Sequence, residues 1–156
     1  MLEAKVYSFE EMLHEKGFLV YTNVGVSMLP LLRQRRDIIE IRKKMPARCK
    51  KYDVVLYKRG DMYILHRVLK VLPDRYLIAG DNNTFVERDV TDAMILGVMT
   101  RVIRNGKDIY MDSPWYQLYV HMWCDCWPVR MLIIRCLAYV RAVIRHIVNI
   151  MGQQKR

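Results

Sequence analysis

Between Ile38 and Arg104 the chain is a succession of short β-branched and aromatic runs, each closed by turn chemistry. Residues 38–41, 53–57, 62–71, 75–79 and 95–104 are runs of this kind. Arg59-Gly60-Asp61 and Leu72-Pro73-Asp74 read as turns, and Asn105-Gly106 is a two-residue hairpin signal. Connections this short join antiparallel strands; parallel strands need a crossover of a dozen residues or more. The pattern therefore predicts a mainly β, α+β fold with a compact, antiparallel-rich β domain over residues 1–112.

Helical patterns flank the strands. Residues 8–16 read as a short amphipathic helix, with Ser8 and Glu11 as a capping box and Gly17 as its stop. Phe9, Met12 and Leu13 share one face, and His14 is a surface residue. At Pro114 the composition changes, and 113–156 reads as an aromatic, basic helical segment. All three tryptophans fall between Trp115 and Trp127, and Pro128 can open a new helix. At helical spacing, Arg130, Arg135, Arg141, Arg145, His146 and Asn149 occupy one arc. Leu132, Ile133, Leu137, Val140, Val143, Ile144, Ile147, Ile150 and Met151 fill the other half.

That pattern bears on the charge. The chain carries a formal net charge of +10 in 156 residues, and residues 114–156 hold six Lys/Arg against one Asp, half of that excess. Arginines inside the apolar run oppose crossing a bilayer, at roughly 2.5–3.5 kcal/mol each near its midplane. They suit a helix lying in the interface, arginines on headgroups and tryptophans at the boundary. No signal peptide is visible in residues 1–16, and no transmembrane stretch is apparent. The expected location is a membrane surface, on a face the sequence leaves open. The alternative is a helix that caps the β core or mediates dimerisation. No nucleic-acid motif accompanies the basic residues, so a nucleic-acid partner is not expected.

Cys49, Cys124, Cys126 and Cys136 make neither a disulfide ladder nor a paired zinc motif, and reduced thiols are expected. His121-x-x-Cys124-x-Cys126 offers three metal ligands without a fourth, so no metal is expected. His121 and His146 read as interfacial residues.

Three short motifs carry chemistry. Ser27 lies in Gly25-Val26-Ser27-Met28-Leu29-Pro30, His66 in Leu65-His66-Arg67-Val68, and Asp81 in Gly80-Asp81-Asn82-Asn83. Singly these are a loop serine, a packed strand histidine and a turn. Together they supply a nucleophile, a base that is largely neutral at pH 7, and an acid to hold the base.

In this order, with Arg36-Asp37-Ile38-Ile39 and Asp53-Val54-Val55 between them, the motifs resemble the type I signal peptidases. They are most similar to the endoplasmic-reticulum and archaeal type, which uses histidine where the common bacterial type uses lysine. The resemblance spans about residues 22–106. It implies a serine endopeptidase that cleaves a signal or leader peptide from a precursor polypeptide after small residues, without a cofactor. Ser27 matches the nucleophile and His66 the general base. Asp81 matches the acid of the glycine-aspartate-asparagine motif and is the expected third member. A second acid follows this motif in the histidine-type enzymes, which makes Glu87 and Asp89 the alternates.

Gly25 stands where these peptidases often carry a serine that assists the oxyanion. Here it permits close approach of main chain to substrate. Met28 lines a substrate pocket or packs into the core, and Pro30 stiffens the loop after the nucleophile. The self-cleaving LexA-type repressors share the fold but use a Ser-Lys pair and an N-terminal DNA-binding domain, for which the residues before Ser27 are too few. The family's usual N-terminal anchor is not apparent, and the C-terminal segment is the expected substitute. A catalytically inactive member of the fold, acting as a scaffold or binding protein, is the alternative function.

Overall fold

The computed structural model of the chain describes residues 7–153. Residues 1–6, part of the stretch read for a signal peptide, and the side chain of Met151 lie outside the described residues. The elements run α1 (Phe9–Lys16), β1 (Phe18–Thr22), β2 (Ile38–Lys43), β3 (Val54–Arg59), β4 (Met62–Val71), β5 (Tyr76–Ala79) and β6 (Glu87–Val90). A 3₁₀ turn at Asp92–Met94 leads into β7 (Ile95–Arg104), β8 (Lys107–Tyr110), α2 (Pro114–Asp125) and α3 (Trp127–Gln153). The strands form one antiparallel sheet in the order β1-β2-β7-β3-β4-β5-β6, with β8 paired to β7. The fold is α+β with helices at both ends, as the pattern predicts.

Local chemistry accounts for the boundaries. Ser8 Oγ accepts from the Glu11 amide and Glu11 Oε2 accepts from the Ser8 amide, closing the capping box. Gly17 ends α1 in the left-handed region at φ 76°. Asn105 and Gly106 both have positive φ, 51° and 75°, as the β7–β8 hairpin turn requires.

Three strands lie outside the sequence-predicted runs: β1, β6 and β8, the last following the predicted Asn105-Gly106 turn. β1 is apolar and aromatic and pairs along its whole length with β2. β6 reads Glu-Arg-Asp-Val, with a single apolar residue, and becomes a strand by pairing with β5. No periodicity in the sequence marks it, because an edge strand of four residues needs only backbone hydrogen bonds and one buried anchor, Val90.

The sheet has a core on each face. Leu13, Leu19, Met28, Leu32, Ile39 and Leu56 belong to one, which Tyr116 and Val120 of α2 complete. Val55, Tyr57, Val68, Tyr76, Ile78 and Val90 belong to the other. The helical segment therefore divides. α2 and the first turns of α3 pack on the β structure down to Arg130 and Ile134, which are buried. From Arg135 to Ile150 every side chain of α3 is exposed. Arg130, read from spacing as part of the polar arc, is 1 % exposed and points into the protein. The periodicity marked its arc correctly, but α2 and the Gly80–Asn83 turn cover that part of it. Among the described residues, no helix is long and apolar enough to cross a membrane.

Candidate active site

His66 and Arg67 are adjacent on β4, so their side chains leave opposite faces of the sheet. Val55 is opposite His66 and Val54 opposite Arg67 in the β3–β4 register, and these two valines belong to different cores. This alternation decides which carboxylate each residue meets.

On the His66 face, Ile78 of β5 lies opposite both Val68 and Glu87. Glu87 is thereby brought beside His66, and its Oε1 is 2.8 Å from His66 Nδ1. Tyr57, on the same face of β3, donates its hydroxyl to that oxygen at 2.6 Å and is 3.2 Å from Nδ1. Arg59 holds the other Glu87 oxygen at 3.0 Å. On the far side of the ring, Asn83 Nδ2 is 3.5 Å from Nε2. A carboxylate at Nδ1 and an amide NH₂ at Nε2 favour one tautomer, with the proton on Nδ1 and a lone pair on Nε2. Burial holds the imidazole below its usual pKa of 6.5, and Glu87 pulls the other way. The ring is accordingly neutral and basic at pH 7.

On the opposite face, Arg67 grips Asp81 through two parallel bonds, Nε to Oδ1 at 2.8 Å and Nη2 to Oδ2 at 2.6 Å. Both side chains are fully buried. Burial opposes the Arg67 charge, and Asp81 outweighs it, keeping the guanidinium protonated. Tyr119 donates to Asp81 Oδ2 at 3.1 Å, and Arg67 donates to the Tyr116 hydroxyl at 2.7 Å. Asp81, expected to orient the His66 ring, is thus committed to Arg67. Glu87, one of the alternates, occupies the position at the ring. Asp89, the other alternate, is exposed and pairs with Arg59 at 2.6 Å.

Ser27 reaches this assembly through the Gly80–Asn83 turn. Its carbonyl accepts from the Asn82 amide at 2.7 Å, and the neighbouring Val26 carbonyl accepts from Asn82 Nδ2 at 3.2 Å. The two segments touch so closely that a Cβ on Gly80 would lie 2.6 Å from the Ser27 carbonyl oxygen. One turn therefore meets the serine loop through Asn82 and the histidine ring through Asn83. Ser27 is half-buried and its Oγ has no hydrogen-bond partner among the described residues. The Ser27 and Met28 amides likewise donate to none, which leaves two N–H groups beside the nucleophile position. Gly25 has φ 106°, a conformation side chains disfavour, and it shapes the entry to the loop.

Met28 is 2 % exposed and belongs to the core, so it does not line a substrate pocket; its turn buries it beneath the serine. Pro30 is exposed and lines a cleft with Trp115, Tyr116 and Tyr119, separate from the cavity at Ser27. That cavity, about 290 Å³, is bounded by Tyr21, Asn23, Val24, Ser27, Tyr63 and Leu65. Beside it, Met62–His66 of β4 pairs with β3 on one edge, while β5 takes up the other edge only from Arg67 onward.

The cysteines are free thiols. His121 bonds Asp125 at 2.9 Å and packs edge-on against Tyr52, remote from His66. Sequence reasoning gave Tyr57, Arg59, Asn83, Trp123 and Arg130 no place at the site. Only Asn83 belonged to a recognised motif; the rest are drawn in by strand register and helix docking. No protein-family model and no curated protein matches this sequence.

Proposed function

We propose that the protein is a serine endopeptidase acting on an extended segment of a precursor polypeptide, with a Ser27–His66–Glu87 triad. The observation that carries this reading is the His66 ring, bonded by Glu87 at Nδ1 and presenting Nε2 toward the turn that holds the Ser27 loop. Ser27 Oγ attacks the scissile carbonyl as its proton passes to His66 Nε2, and Glu87 stabilises the imidazolium. The amides of Ser27 and Met28 are the donors for the oxyanion. His66 then returns the proton to the leaving amine, and water repeats the sequence on the acyl-enzyme.

The unpaired edge of Met62–His66 suits a substrate added as a further strand, carrying its side chains into the cavity beside Ser27. A signal or leader peptide cut after small residues fits the resemblance of the motifs to the signal peptidases. The exposed stretch of α3 suits membrane contact: Leu137, Val140, Ile144 and Ile147 face solvent beside Arg135, Arg141 and Arg145.

The test is mass-spectrometric cleavage of a peptide library in detergent by wild type, Ser27→Ala and His66→Ala. Cleavage after small residues is expected, falling by on the order of 10⁴-fold or more in both variants. Folded wild type that cuts nothing, with lipid also supplied, would favour the scaffold reading. Co-sedimentation with anionic vesicles checks the membrane contact: binding should drop as salt rises and in the triple variant of Arg135, Arg141 and Arg145 to Gln. No partitioning would remove the contact, and salt-independent partitioning would remove the arginines' part in it.

A further inference from the structure

The Gly80–Asn83 turn is held from outside the sheet as well as from within it. Trp123, near the end of α2, donates its indole N–H to the Asp81 carbonyl at 3.0 Å. Arg130, in the first turns of α3, donates Nη2 to the Gly80 carbonyl and, at 3.3 Å, to the Asn83 carbonyl. Three of the four carbonyls of the turn are therefore capped by two side chains from the helical pair. The same turn gives Asn82 to the Ser27 carbonyl and Asn83 to the His66 ring.

Arg130 is an unusual choice for this place. It is 1 % exposed, and its Nε and Nη1 have no hydrogen-bond partner among the described residues. Its guanidinium stacks 4.6 Å over the Trp127 ring, and among the described residues no carboxylate forms a salt bridge with it, although the Asp81 charge partly offsets its burial. A buried, partly unsatisfied cation is costly, and an apolar side chain of similar volume would pack there more favourably. Stability alone does not account for a guanidinium at this position. Capping two carbonyls of the turn with one planar group does.

We propose that Trp123 and Arg130 are positioning residues, a clamp through which the docked helical pair sets the Gly80–Asn83 turn and hence the placement of Ser27 relative to His66. The catalytic consequence rests on the peptidase reading; the mechanical one does not. Neither residue touches the reacting atoms. Each acts through the backbone of the turn, so loosening it misaligns nucleophile and base while leaving the substrate cavity intact. A small displacement of that kind is enough to slow an oriented reaction strongly.

The experiment uses the full chain carrying Trp123→Phe, which removes the indole N–H but keeps an aromatic ring, and Arg130→Met, which removes the guanidinium but keeps its length. Three quantities are read: thermal midpoint, hydrogen exchange at the Asn82 amide, and kcat and KM on the best library peptide. The expected result is a folded protein with Asn82 exchange accelerated at least tenfold and β4 amides still protected. With it, kcat falls tenfold or more at nearly unchanged KM. Arg130→Lys, which retains one cationic donor, should recover part of both losses. Unchanged Asn82 exchange in both variants overturns the clamp. Accelerated exchange with wild-type kcat overturns its positioning role. If wild type cuts no peptide but Asn82 loosens in the variants, the clamp stands and the peptidase reading falls. If the variants unfold, the Lys variant, which keeps the charge, decides on the same readouts.

Discussion

His66 and Arg67 are neighbours in the chain, and each has a carboxylate partner, yet the two pairs behave in opposite ways. Arg67 and Asp81 are fully buried and matched in a bidentate pair, in which Asp81 keeps the Arg67 guanidinium charged. Their neighbourhood is closed by Tyr116, Tyr119 and the helical pair. His66 and Glu87 have side chains 7 % and 9 % exposed, and the second ring nitrogen faces Asn83, in the turn that contacts the serine loop. Asp81 holds the Arg67 guanidinium charged, whereas burial holds the His66 imidazole below its usual pKa. One strand thus carries a structural ion pair on one face and a candidate proton shuttle on the other, separated by a single peptide bond.

Asp81→Asn should break the first pair and leave Arg67 buried without its counter-charge. The expected cost is about 3–5 kcal/mol of stability, read by denaturant unfolding. A loss below about 1 kcal/mol would mean that Arg67 has another partner.

Glu87→Gln should separate the two pairs most clearly. Its predicted effect is on rate, about a hundredfold or more in kcat/KM, with little change in unfolding midpoint. The pH profile gives the sign. Activity needs neutral His66, so kcat/KM rises with pH through an apparent pKa below the usual 6.5, since burial lowers it. Glu87 raises that pKa, so removing its charge should move the acid limb to still lower pH. A limb that moves up, or a rate unaffected by the change, would show that Glu87 is not the partner of the working base.

The smallest effect is expected from Asp89→Asn. Asp89 is mostly exposed and, among the described residues, holds only Arg59, so stability should change by about 1 kcal/mol or less. Rate should stay within a few-fold of wild type. A drop as deep as that of Glu87→Gln would mean that Arg59 and its two acids act as one unit.

The difference between the pairs also shows where sequence reading stops. The serine, histidine and glycine-aspartate motifs were legible because each is a local signature. The acid was not, because the choice among Asp81, Glu87 and Asp89 depends on which face of the sheet each reaches. The alternation at His66-Arg67 could have been read, and it would have warned that Asp81 and His66 need not meet. The strand that carries Glu87 could not, since Glu-Arg-Asp-Val has no strand periodicity of its own. The capping box of α1 and the Asn105-Gly106 hairpin were legible for the converse reason: both are decided by residues within four positions of one another.

The C-terminal segment divides along the same line. Periodicity marked its helix and its arginine arc, and the exposed stretch from Arg135 to Ile150 keeps that pattern. Arg130 shares the arc but is buried over a turn 50 residues earlier in the chain. By itself the sequence determined the antiparallel class of the fold, the helices at either end, the nucleophile and base candidates and the amphipathic tail, because propensity, turn chemistry and period are local properties. Only the tertiary structure decided that Glu87 holds the histidine, that Asp81 is committed to Arg67, and that Trp123 and Arg130 reach the turn between serine and base. Those contacts follow from strand register and helix docking, which bring together residues that no local pattern relates.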